Sequence, residues 1–83
     1  MKTLPTEKRL GVEFARLASE HGLEDWTLRI NPRLRVTGGR CIYTKQLLEV
    51  AEWALDHAEE AIDILRHEVA HALTRPFAAH GEE

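Results

Sequence analysis

The sequence predicts an α+β fold, and three changes of hydrophobic period along the chain carry that prediction. Apolar residues recur at helical spacing before His21, alternate with polar ones from Trp26, and return to helical spacing between Ile62 and Leu73. At 83 residues, 43% hydrophobic and 30% charged, the chain has material for one core and not for two. Residues 1–83 are therefore expected to form a single domain.

From Thr6 to His21, Leu10, Phe14, Leu17 and Ala18 share one face opposite a charged one, which predicts an amphipathic helix stopped by Gly22. Trp26, Leu28 and Ile30 then alternate with Thr27, Arg29 and Asn31, and the alternation resumes beyond Pro32 with Leu34 and Val36, predicting extended strand. Gly38-Gly39 suits a tight turn or bulge, and Cys41-Ile42-Tyr43 reads as a strand on its return side. Residues 44–57 are ambiguous. Leu47, Leu48, Val50, Ala51, Ala54 and Leu55 suit a helix, yet Gln46 to Ala51 is also short enough for a buried strand. Glu59 to Thr74 is the clearest helix, with Ile62, Leu65, Val69, Ala72 and Leu73 in one stripe, acidic residues in its first turn, and Pro76 to end it.

Composition narrows the function. A net charge of −3 disfavours a protein held mainly by phosphates. Basic residues do gather in residues 1–45, which hold nine against five acidic, while residues 46–83 hold two against nine. The single cysteine, Cys41, excludes an intrachain disulfide scaffold, and no apolar run reaches the length of a signal peptide core or a membrane span. A reducing, cytoplasmic location without membrane contact is expected.

Within the last helix stands His67-Glu68-Val69-Ala70-His71. Residues four apart on a helix project from the same face, so the two imidazoles can grip one Zn2+ ion. Glu68 lies about 100° round the axis from His67, where a carboxylate can act as general base without being a ligand. This chemistry is zinc-assisted peptide-bond hydrolysis. A catalytic zinc takes three protein ligands and keeps one position open. His80, nine residues after His71, is the candidate third ligand, because the chain beyond Thr74 is long enough to fold back. The alternative is a surface His/Glu/His cluster on a solvated face.

From Trp26 to Gly81 the chain resembles the SprT-like (Spartan-like) zinc metalloprotease family. The resemblance is carried by Trp26 and the strand through Asn31 and Arg33, by Gly39 and Cys41, by Leu47-Leu48-Glu49-Val50-Ala51, and most specifically by residues 64–73 with His80-Gly81. It implies that Gln46 to Ala51 is a strand, that the N-terminal helix backs a small antiparallel sheet, and that the C-terminal helix is a zincin-like active-site helix. It places metal ligands on His67, His71 and His80 and the general base on Glu68. A protein or peptide substrate is implied too, in a minimal member that stops short of the segment relatives carry after His-Gly. The metzincin pattern fits less well, because Thr74 and Phe77 stand where it needs Gly and His, and Glu82 is only a substitute ligand.

The expected function is thus a zinc-dependent metalloendopeptidase. The alternative is a non-catalytic, zinc-stabilised binding module, with nucleic-acid contact through Arg29, Arg33, Arg35 and Arg40 as a further option. Elsewhere the residues read as structural. His57 suits a surface or capping position, His21 a helix end, Cys41 a small apolar strand site, and Trp26 and Trp53 core anchors.

Overall fold

A computed structural model of the protein describes residues 5–74. Helix α1 (Thr6–His21) is followed by strands β1 (Thr27–Asn31), β2 (Gly39–Ile42) and β3 (Leu47–Ala51), and then by helix α2 (Ala58–Thr74). Short 3-10 turns at Tyr43–Lys45 and Glu52–Asp56 flank β3. The architecture is α+β, with two helices and a three-stranded mixed sheet.

α1 begins at Pro5, whose fixed φ suits a helix start and whose carbonyl accepts the Arg9 N–H at 3.0 Å. It ends at Gly22, which adopts φ 74°, a left-handed conformation that costs a residue with a Cβ about 1 kcal/mol or more. The reversal lets the Leu23 N–H close onto the Ala18 carbonyl at 2.9 Å. Leu10, Leu17 and Ala18 are buried, and Phe14 packs at the edge of the core. α2 contributes Ala61, Ile62, Leu65, Val69 and Ala72, whereas Leu73, predicted in the same stripe, is 43% exposed and lies outside the buried face.

The antiparallel sheet expected from the sequence is corrected to a mixed one. β3 lies in the middle, parallel to β1 and antiparallel to β2. The strand predicted to resume after Pro32 does not form. Asn31 turns the chain, its side-chain oxygen accepting the Arg33 N–H at 2.8 Å, so Leu34 and Val36 leave the sheet and Val36 stands 95% exposed. Residues 32–38 instead carry the chain past the end of β3, where the Gly38 carbonyl accepts the Ala51 N–H at 2.7 Å. An alternating pattern states which face a side chain takes and is silent on strand direction, so β1 and β2 end on opposite edges and not as a hairpin. The ambiguous stretch resolves as strand over Leu47–Ala51.

Leu48 and Val50 face the core beneath the helices. The pleat turns Glu49 to the other face, in register with Arg29 on β1 and Arg40 on β2. Trp26 is buried as expected, but Trp53 is 39% exposed. It sits on the Glu52–Asp56 turn, where Ala54 takes the inward position. Among the described residues no helix is long and apolar enough to cross a membrane.

Candidate metal centre

α2 presents the site because its sequence is helical on local grounds. Glu59 and Glu60 load the first turn, where the helix dipole favours acids, and the His57 carbonyl accepts the Ala61 N–H at 2.9 Å. His57 thus occupies the capping position expected of it. Two turns from that start, the predicted spacing brings the imidazoles together. The Nε2 atoms of His67 and His71 lie 2.9 Å apart, with ring centroids 4.4 Å apart and planes at 87°. One ligand atom from each of His67, Glu68 and His71 fits within 4.8 Å of the others.

The three side chains differ in exposure. His67 is exposed, His71 half-buried, and Glu68 only 7% exposed. Glu68 is covered from the β2 side by Gly39. A Cβ at that position would lie 3.0 Å from Glu68 Cγ, 3.0 Å from the Glu49 carbonyl oxygen and 2.7 Å from Ile64 Cγ2. Only glycine allows α2 to approach β2 this closely. Beside His67 and Glu68 runs a groove of about 330 Å³ between α2 and the chain entering β2, bordered also by Gly38, Gly39, Asp63 and Ile64. The opposite side of the site is tied down by Tyr43, whose hydroxyl donates to the His71 carbonyl at 2.9 Å.

These residues suit a divalent metal. Two imidazole nitrogens sharing a tetrahedral zinc at Zn–N distances of 2.0–2.1 Å lie about 3.3 Å apart, so the observed pair needs to open by only a few tenths of an ångström. The short contact between two ring nitrogens also implies a proton shared between them, and a cation placed there takes over that role with both rings neutral. His80, the third ligand expected from the sequence, lies outside the described residues, as does Glu82.

A buried ionic group that the sequence did not reveal lies on the far face of the sheet. Glu49, 2% exposed, accepts hydrogen bonds at Oε1 from Arg40 Nε at 3.0 Å and Asn31 Nδ2 at 3.0 Å. Arg40 Nη2 stands 2.8 Å from the same oxygen, and Arg29 Nη1 lies 3.9 Å from Oε2. Two of the four strand arginines therefore face an internal carboxylate, while Arg33 and Arg35 are exposed on the 32–38 segment. Tyr43 and Gly39 are further residues at the site whose contacts the sequence did not disclose. The sequence read Gly39 as a turn or bulge residue, whereas it opens strand β2 without a positive φ, and nothing local in the sequence connects Tyr43 with a carbonyl 28 positions later.

A small mixed sheet, two helical imidazoles and a buried acid brought together beside a groove make a group that could hold a metal ion. Comparison with protein-family models matches residues 8–83 to the SprT-like family. The chain belongs to that family. No curated protein and no solved structure matches it.

Proposed function

We propose that the protein is a zinc-dependent endopeptidase in which His67, His71 and His80 hold the metal and Glu68 is the general base. The observation that supports this most directly is the meeting of His67, Glu68 and His71 beside an open groove. A zinc ion held there supplies the Lewis acidity that amide hydrolysis needs near neutral pH. Glu68 takes a proton from the attacking water and delivers it to the leaving amine. Its burial under Gly39 holds the carboxylate to a narrow range of positions, which a proton carrier acting at one peptide bond requires.

The substrate is a protein or peptide in extended form. β2 pairs with β3 along one edge only among the described residues, and the segment entering it borders the groove, so its other edge is suited to strand addition. Gly38 and Gly39 project no side chain against a peptide lying there.

Metal analysis of the purified protein, with cleavage of casein by wild type and Glu68→Gln, tests the proposal. Glu68→Gln is expected to keep its zinc and lose cleavage by about 100-fold or more. Zinc retained with no cleavage by either form would favour the non-catalytic binding module, and absence of zinc from the wild type would end both readings.

A further inference from the structure

We infer that the hollow beside Trp53 is a binding site for an arginine side chain of a protein or peptide partner. The hollow, of about 640 Å³, lies between the chain leaving β1 and the turn that follows β3. Leu34, Trp53 and Leu55 give it apolar walls, and Arg35, Glu52 and Asp56 give it charge. Trp53 singles it out. The indole is 39% exposed, whereas Ala51 and Ala54 on either side of it are fully buried and fix the turn to the core. The ring is braced as well, its Cη2 corner lying 3.8 Å from where a Cβ on Gly38 would stand. A fixed aromatic surface left open to solvent is a large apolar area still to be covered, and tryptophan is a residue on which binding energy concentrates.

Charge decides the occupant. The lining holds two carboxylates against one guanidinium, and among the described residues Glu52 and Asp56 make no ion pair, nor does Arg35 pair with either of them or with the indole. Glu13 and Glu49, by contrast, are each met by arginines. A partner that brings a cation gains the two carboxylates, and one whose cation is planar and weakly hydrated gains the indole face as well. Guanidinium meets both conditions, because its donors fork toward carboxylate oxygens while its plane stacks on an aromatic ring. An ammonium is a compact, strongly hydrated charge, and an aliphatic side chain covers the indole but leaves the acids unmatched. Nucleic acid is disfavoured, since its phosphates meet an excess of carboxylate. Gly38 meets Trp53 here and also borders the groove at His67 and Glu68, yet the hollow and the groove share no lining residue. An arginine bound beside Trp53 therefore leaves the candidate metal centre open, and the site does not depend on a metal.

The test is NMR titration of the isotope-labelled protein with the blocked tripeptides Ala-Arg-Ala, Ala-Lys-Ala and Ala-Leu-Ala, followed at the indole N–H resonances of Trp26 and Trp53. The arginine peptide is expected to move the Trp53 resonance saturably, to leave that of buried Trp26 in place, and to bind about threefold more tightly than the lysine peptide. Glu52→Gln combined with Asp56→Asn is expected to weaken it by about fivefold, and Arg35→Gln to strengthen it by about twofold. All three positions are exposed, so these variants are expected to fold, as thermal melts will check. Equal binding of the leucine or lysine peptide, no saturable shift at Trp53, or an affinity unmoved by the double variant would overturn the inference. Titrations with zinc and with excess chelator are expected to agree. An affinity that depends on zinc would put the peptide at His67 and Glu68 and overturn the separate site, whereas failure of the protein to bind zinc ends the endopeptidase reading and leaves this one standing.

Discussion

A methyl group at Gly39 would meet the Glu49 backbone oxygen at 3.0 Å and the side chains of Ile64 and Glu68. Ile64 can move aside, but a strand carbonyl cannot without breaking the sheet. Gly39→Ala is therefore expected to destabilise the protein by about 1–3 kcal/mol, the usual range for overpacking, as read from urea denaturation midpoints. On the other face of the sheet, Glu49 is a buried carboxylate satisfied by Arg40 and Asn31. Glu49→Ala strips those donors of their acceptor, and because Arg40 is partly exposed the cost is expected near the lower end for a broken buried pair, about 2–4 kcal/mol. Neither effect was visible in the sequence. Glu49 reads there as one polar letter in an apolar run, and only the register that aligns it with Arg29 and Arg40 explains its presence.

At the scale of elements, the two helices are joined across their exposed sides by charge. Glu13 on α1 accepts from Arg16 Nη2 at 2.6 Å and from Arg66 on α2 at 3.3 Å. The hydrogen bond from Arg16 lowers the Glu13 carboxyl below its ordinary value of 4.5, burial works against that, and Arg66 adds to the lowering. A carboxyl whose value is lower in the folded state contributes stability above its unfolded value. The contribution is lost as pH falls through the folded value. Because the group is solvent-screened, a few tenths of a kcal/mol are at stake. Melting temperatures of wild type and Glu13→Gln are expected to differ slightly at pH 7 and to converge in acid, as pH falls through the lowered folded value, with a smaller gap in high salt. α1 and α2 were legible from the sequence because a helix is a local object: Leu10, Leu17, Leu65 and Val69 lie on buried faces set by 3.6-residue spacing, and His67 meets His71 for the same reason. The sheet was not. Alternation identified Leu28 and Ile30 as partners on one face, but the choice of neighbour for β1 depends on contacts about twenty residues away that no local pattern encodes.

For the whole molecule, 83 residues bury a modest share of their surface, and a bound ion adds stability by mass action. Zinc at a free concentration 100 times its dissociation constant stabilises a one-site protein by about 2.7 kcal/mol. In a domain of this size that corresponds to roughly 10–20 °C in Tm. Differential scanning fluorimetry with zinc, then with excess chelator, is expected to show that rise and its reversal, and His71→Ala is expected to abolish it. What the sequence disclosed of the site follows the same division by range. His67, Glu68 and His71 came from one pentapeptide, whereas the glycine above Glu68 and the phenol behind His71 come from β2 and the turn after it, and only folding brings them there.

The central position of β3 has a consequence for how the chain assembles during synthesis. A growing polypeptide that has reached only Ile42 already contains β1 and β2, yet neither borders the other in the finished sheet, and both await Leu47–Ala51. The hairpin of β2 with β3 closes over a few residues and is quick, while recruitment of β1 must span a much longer loop and comes later. Until then β1 is an unmatched hydrogen-bonding edge, and a chaperone or a neighbouring nascent chain has its best opportunity to seize it.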